Sequence, residues 1–189
     1  LPSGSSLKMN FNFKYNKKKF NIGYFGSLYK SRGLDLIYEL AKIDRKNDYY
    51  IYGNNKNLKN SQRNIFIKNL NLYNHIPYKK ISKKLSEMDI LLMPYVAPIT
   101  VSGDVSDITN YTSPLKLFDY LSAGKIIICS NYAVLKEVIK EKKNAIFIKN
   151  YKNVFAWRNE IQKLKHQHNK QIIISKNNYL LSKNYSLIN

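Results

Sequence analysis

Phe20-Asn21-Ile22-Gly23-Tyr24-Phe25-Gly26 is a short β-rich run closed by glycine, and the polar loop behind it leads into Leu34, Leu36, Ile37, Leu40 and Ala41 at helical spacing. A strand, a loop and a helix in that order form the first half of a crossover unit, and the unit recurs. Asp48-Tyr49-Tyr50-Ile51-Tyr52-Gly53 is another strand ending at glycine, and Asn64-Ile65-Phe66-Ile67 reads as a third. After the turn Asn74-His75-Ile76-Pro77, the stretch from Tyr78 to Met88 carries Ile81, Leu85 and Met88 at helical spacing, and Asp89-Ile90-Leu91-Leu92-Met93-Pro94 follows as a strand. A polar loop from Val96 to Tyr111 leads to Thr112-Ser113-Pro114, where a hydroxyl cap followed by proline marks a helix start. That helix is expected to run from Pro114 to Ala123 and to stop at Gly124. A strand from Lys125 to Cys129, a helix from Ala133 to Ile139, a strand from Asn144 to Ile148 and one long helix from about Val154 complete the pattern. Such alternation predicts a parallel sheet covered by helices, an α/β domain of doubly wound, Rossmann-like type. Residues 1–19 read as a linker entering the domain formed by 20–189.

The chain has 189 residues, of which 44% are apolar, enough for one sizeable core. It carries 32 Lys plus Arg against 12 Asp plus Glu, a formal net charge of +20. That balance favours anionic partners: nucleic acid, an anionic membrane face or a phosphorylated ligand. Most of the excess is Lys, dispersed among abundant Asn, Ile and Tyr, so a general compositional bias accounts for part of it. The dispersion, and the lack of any motif interleaving Lys with aromatics, ranks a nucleic-acid-binding protein low. The single cysteine, Cys129, lies in the apolar run Ile126-Ile127-Ile128-Cys129 and reads as a small buried hydrophobe. No apolar stretch approaches the roughly 18 residues of a membrane span, and no leader peptide is recognised. The expectation is a cytoplasmic protein whose basic surface makes peripheral contact with an anionic membrane.

Ligands of open parallel sheets bind beyond the carboxyl ends of the strands, so the loops after Gly26, Gly53, Asn69 and Tyr95 are expected to share one rim. The helix beginning near Ser113-Pro114 presents its amino end there, with free N–H groups and a positive dipole end suited to phosphate. Arg32 and Lys116 are candidate cations for a diphosphate. Asp119, further along the helix, is a candidate acceptor for a pair of ribose hydroxyls. Gly23 and Gly26 lack the third glycine of a dinucleotide fingerprint.

These residues resemble glycosyltransferase family 4, the large GT-B family of retaining enzymes, over nearly the whole chain. Leu1-Pro2-Ser3-Gly4 is similar to the hinge motif that opens the family's C-terminal domain. Ile22-Gly23-Tyr24-Phe25-Gly26-Ser27-Leu28, with Arg32-Gly33, resembles its first strand and phosphate loop. The most specific match is Thr112-Ser113-Pro114-Leu115-Lys116-Leu117-Phe118-Asp119-Tyr120-Leu121-Ser122-Ala123-Gly124-Lys125, with Ser130-Asn131 and Glu137-Val138-Ile139 behind it. It resembles the family's nucleotide-sugar helix in the branch reading Ser-Pro-x-Lys-x-Phe-Glu-Tyr. Tyr179 to Ser186 resembles the terminal helix that crosses back to the N-terminal domain.

The resemblance implies the C-terminal half of a GT-B glycosyltransferase, transferring sugar from a nucleoside diphosphate donor, UDP- or GDP-linked, to a glycan or lipid-linked acceptor. It implies retention at the anomeric carbon without a metal or other cofactor. Arg32 then binds the diphosphate in place of the usual lysine, with Lys116 and the amides of Leu115 and Lys116 stabilising the leaving group. Gly26 and Ser27 form the phosphate loop, Ser113 and Pro114 the helix start, and Asp119 meets the ribose in place of glutamate. His75 and Ile76 flank the base. Ser27 stands where an arginine is common, and Tyr111 where the family has the first of two glutamates. None of His75, His166 or His168 is assigned the catalytic role that a histidine of the missing N-terminal, acceptor-binding domain often fills. The alternative is a nucleotide-binding module without catalysis of its own.

Overall fold

The computed structural model describes residues 4–11, 19–54, 56, 58, 66–98 and 115–187. In chain order the elements are β1 (Asn21–Phe25), α1 (Leu34–Ile43), β2 (Asp48–Tyr52), β3 (Leu70–Tyr73), α2 (Tyr78–Ser86), β4 (Ile90–Met93), α3 (Leu115–Ser122), β5 (Ile126–Ser130), α4 (Ala133–Lys136), β6 (Ala145–Ile148), α5 (Val154–Leu164) and α6 (His168–Ser182). The strands form one six-stranded sheet in the order β3-β2-β1-β4-β5-β6. Every neighbouring pair is parallel. This is the doubly wound Rossmann order, in which the chain winds outward from β1 in one direction and from β4 in the other.

The period-2 alternation of side chains along each strand sorts the core into two layers. Ile22 and Tyr24, Ile90 and Leu92, and Ile126 and Ile128 face α1 and α5, where Leu40, Trp157 and Ile161 are buried against them. Phe25, Leu91, Met93, Ile127 and Cys129 face the other way, onto Leu85 of α2, Leu117 and Leu121 of α3 and Leu135 of α4. Both faces of the central strands are thus covered, which explains why β4 and β5 are continuous apolar runs. Cys129 is fully buried, and burial pushes its thiol up.

Three sequence expectations are corrected. The third strand is Leu70–Tyr73; of the run expected there, Asn64 and Ile65 lie outside the described residues, residues 66 and 67 lie outside any strand, and Phe66 is 90% exposed. Leu70-Asn71-Leu72-Tyr73 pairs in register with Tyr49 to Tyr52. As an edge strand with partly exposed residues it needs less apolar character than Ile65-Phe66-Ile67 displays. Asn69 therefore lies at the amino end of β3, away from the rim to which the sequence assigned it, with its amide donating to the carbonyls of Asp44 and Asn47. The long C-terminal helix is two helices, α5 and α6. The N–H groups of Lys165, His166 and Gln167 fold back three residues to Gln162, Lys163 and Leu164, tightening the chain into a turn. The Gln171 side chain also donates to the Leu164 carbonyl, at 2.6 Å. The remaining differences are small: the helix expected from Ala133 to Ile139 shortens to the single turn of α4, and β5 shifts one residue onward. α3 ends where Gly124 takes a left-handed φ of 58°, as expected for a glycine stop.

The break lets α6 lie along α3 and reach β5. Its Ser175 hydroxyl donates to the Gly124 carbonyl, and Asn178 donates to the Lys125 carbonyl at 2.8 Å. The amino end of the sheet is closed by a buried polar hub. Asp44, 2% exposed, accepts from Asn47 (2.6 Å), Tyr49 (2.8 Å) and Gln162 of α5 (2.8 Å). Replacing Asp44 by Ala strands three donors in the interior. We expect Asp44→Ala to destabilise the fold by about 3 kcal/mol, read as a lower urea midpoint with an unchanged slope. A midpoint within error of the parent would show that this hub contributes nothing.

Candidate active site

The sheet opens at its topological switch point. β1 and β4 pair only at Ile22 with Ile90 and Gly23 with Leu91, although both strands run two residues further. The Tyr120 hydroxyl of α3 sits in the gap, accepting from the Phe25 N–H at 2.9 Å and donating to the Leu92 carbonyl at 3.5 Å. Burial pushes its phenol well up, so it stays a neutral bridge. Beyond the gap lies a cleft of about 340 Å³, lined by residues from β1, α2, α3 and the segments after β3 and β4. Its floor includes Phe25 and Tyr52, stacked with ring centroids 4.6 Å apart.

Two cations share one aromatic ring in this cleft. The Arg32 guanidinium lies 5.2 Å from the centre of the Tyr95 ring, and the Lys116 ammonium lies 5.3 Å from it. Lys116 Nζ also stands 4.3 Å from the centre of the Tyr24 ring and donates to the Tyr24 hydroxyl at 3.1 Å. The Tyr24 hydroxyl in turn donates to the Ser27 carbonyl at 2.7 Å. Among the described residues no carboxylate pairs with either cation. Burial first, and the nearby Arg32 charge second, push Lys116 down to about 7.

Local backbone geometry sets both cations. A single 3-10 turn, Lys30–Arg32, ends at Gly33, whose φ is 76°. A Cβ there would collide with the Pro94 carbonyl, so glycine is what lets the turn close against the end of β4. The Val96 N–H donates to the Ser31 carbonyl at 2.9 Å, completing that junction. Gly26 has φ 147°, and a Cβ on it would stand 2.7 Å from Lys116 Nζ. Its missing side chain is the space the ammonium fills.

Of the sequence-expected residues, Gly26, Ser27, Arg32, His75, Ile76, Leu115, Lys116 and Asp119 all line this one cleft. Ser113 and Pro114 lie outside the described residues, as do Leu1 to Ser3, the loop from Ile99 onward and Tyr111. Asp119 Oδ1 accepts from Ser5 Oγ at 2.7 Å and Tyr78 Oη at 2.9 Å. Burial raises its carboxyl, and the two hydroxyls oppose that shift. Among the described residues no three His, Cys, Asp or Glu gather as a metal site.

The sheet thus opens at its switch point onto a cleft that holds the first described residues of α3 and two cations with no carboxylate partner among the described residues. The family model of the glycosyl transferases group 1 matches residues 7–181. The chain belongs to that family. Its fold is that of a GT-B glycosyltransferase C-terminal domain. Anabaena HepE, solved in complex with UDP-glucose, superimposes with a TM-score of 0.69 at 14% identity, over 90% of this chain and 46% of HepE. The C-terminal domain of the group 1 protein LpcC from Francisella tularensis gives 0.65 at 15% identity, over 89% of this chain and 87% of that domain. WaaG, a glycosyltransferase involved in lipopolysaccharide biosynthesis, gives 0.63 at 14% identity, over 89% of this chain and 44% of WaaG. This chain thus spans less than half the length of HepE. No curated protein matches it.

Sequence reasoning missed Tyr24, Tyr95 and Tyr120 of this group 1 domain, the rings that hold the cations and fill the gap. Sixteen tyrosines in one chain give no signal that three of them converge. The cation geometry has a direct readout. In a ¹³C-methylated sample one lysine should titrate near pH 7, charged below and neutral above, and vanish in Lys116→Met. Arg32→Met should move that titration upward by removing a like charge. A Lys116 resonance titrating near 10 would refute this electrostatic picture.

Proposed function

We propose that this chain is the donor-binding half of a retaining glycosyltransferase of the family 4 kind. It binds a nucleoside diphosphate sugar, UDP- or GDP-linked, for transfer to a glycan or lipid-linked acceptor. The observation that carries this reading is the pair of cations, Arg32 and Lys116, held on Tyr95 with no described carboxylate partner. Two positive groups half-withdrawn from water repel one another and gain from an anion placed between them and the α3 start. HepE, of the same fold, is known bound to UDP-glucose, and the involvement of WaaG in lipopolysaccharide biosynthesis supports a lipid-linked or glycan acceptor.

In this reading the transfer needs no metal, because Arg32, Lys116 and the first α3 amides, Leu115 and Lys116, meet the charge that builds on the leaving diphosphate. Asp119 accepts from the ribose, and His75 and Ile76 flank the base. The acceptor site belongs to a separate N-terminal domain, in keeping with the half-length match to HepE. Calorimetric titration with UDP, GDP and ADP tests the reading. One diphosphate should bind, and Arg32→Ala with Asp119→Ala should weaken it by roughly 1.5–3 kcal/mol per lost charged contact, on the order of tenfold to a hundredfold each in Kd. No binding of any of the three at millimolar concentration, with the chain folded, would overturn it.

The acceptor side of the reading includes peripheral contact with an anionic membrane. α2 presents Lys79, Lys80 and Lys83, all exposed, with no acidic residue in its first turn. Among the described residues no helix is long and apolar enough to cross a membrane. The chain should co-sediment with vesicles containing anionic lipid at low salt and be released as salt is raised. Equal recovery with purely zwitterionic vesicles would rule this contact out.

A further inference from the structure

Asp119 is not a free carboxylate on the cleft wall. Its Oδ1 is saturated by two hydroxyl donors from chain segments far apart in sequence, Ser5 at 2.7 Å and Tyr78 at 2.9 Å. Neither of these lines the cleft, which Asp119 itself does. Among the described residues no donor reaches Oδ2.

The hydrogen-bond direction at Ser5 follows from its surroundings. Ser5 is 2% exposed, and its hydroxyl already accepts from the Leu7 N–H at 3.1 Å. Its single proton goes to the Asp119 carboxylate. The Ser5 backbone is held as firmly, its N–H donating to Tyr185 at 2.9 Å and its carbonyl accepting from Leu187 at 3.0 Å, around a parallel bridge with Ser186. Tyr78 opens α2 directly after Pro77, so its phenol reaches Asp119 from the His75–Pro77 side. Two hydroxyls on one oxygen fix the side chain's rotamer, which a half-exposed aspartate on a helix does not otherwise keep.

We infer that Ser5 and Tyr78 are positioning residues for donor recognition: they lock Asp119 through Oδ1 so that Oδ2 is left to accept the vicinal hydroxyls of the donor's ribose. The inference rests on the donor-binding reading above and adds to it the residues that make ribose selection possible. It also ties ribose contact to the place where the 4–7 segment meets 185–187. A shift of either segment moves Ser5, and with it the carboxylate.

The test is a cycle between protein and ligand variants on the full chain. Dissociation constants are measured for UDP, GDP and ADP, each against its 2′-deoxy counterpart. The parent should prefer the ribonucleotide by about tenfold, the worth of one hydrogen bond to a charged acceptor. In Ser5→Ala and in Tyr78→Phe that preference should fall to about two- to threefold, with affinity for the deoxy ligand unchanged. Ser5→Thr, which keeps the hydroxyl, should restore it. A merely structural role for either hydroxyl would weaken both ligands alike and leave their ratio intact. Tyr78→Phe removes one oxygen from an exposed ring, so it carries the test should Ser5→Ala fail to fold. An unchanged ratio in folded Tyr78→Phe, or a parent that binds both ligands equally, overturns the inference while leaving the donor site standing. Absence of any nucleotide binding overturns both.

Discussion

The separation of β1 from β4 is the constraint on which the site depends. A parallel sheet wound outward in both directions has one place where neighbouring strands carry their loops to opposite sides. Here the ladder stops at Gly23 and Leu91, leaving the Phe25 N–H and Leu92 carbonyl without each other. Unpaired backbone groups in the interior cost too much to persist, and no water need enter because the Tyr120 hydroxyl serves both. The same residue belongs to α3, so the helix that carries Lys116 and Asp119 is registered on the sheet by the bond that fills the gap. Gly33, closing against Pro94, registers Arg32 on β4 from the other side. The cleft is thus an outcome of topology, made exact by one phenol and one missing Cβ.

The buried polar hub and the two cations of the cleft lie at opposite ends of the strands. At the amino end Asp44 is buried with its acceptors fully occupied by Asn47, Tyr49 and Gln162, and the sheet, α1 and α5 are joined through it. At the carboxyl end two cations share a ring whose own phenol is held neutral by burial, pushed up to about 12. Cation–ring attraction of about 0.5–2 kcal/mol recovers only part of what desolvation and like-charge repulsion cost there. Such an arrangement persists because the rest of the fold holds it in place.

The fold was legible because its dominant signals are local. Strands of a covered parallel sheet are continuous apolar runs, and the glycines and helical spacings between them read directly, so the strand–helix alternation and the Rossmann class followed. β3 was misplaced because an edge strand buries little: Leu70-Asn71-Leu72-Tyr73 is less apolar than the Ile65-Phe66-Ile67 run before it. The α5–α6 break was hidden for the opposite reason, since no Gly or Pro marks it and Gln171, which donates to the Leu164 carbonyl, lies after the turn. Gly26, Arg32, Lys116 and Asp119, drawn from contiguous motifs, were legible as neighbours on one cleft. Tyr24, Tyr95 and Tyr120 were not, because their roles arise where β1, the end of β4 and α3 meet. Ser5, more than a hundred residues from Asp119, carries no mark in the sequence of the contact it makes.

Lys116 fills the space beside the first-strand glycine with a charge that its surroundings weaken. The family resemblance leads one to expect a guanidinium directly after the first-strand glycine, and this chain has a serine. The space beside that glycine is filled from α3, where Lys116 Nζ sits 2.7 Å from where a Gly26 Cβ would stand. A guanidinium keeps its charge at any physiological pH, whereas an ammonium is readily discharged by burial. Placed between two phenol rings and beside Arg32, this lysine has been pushed down to about 7. A bound diphosphate supplies the missing counter-charge and favours the ammonium, so on this reading the site takes up a proton as it fills, something a permanently charged arginine in the loop does not do.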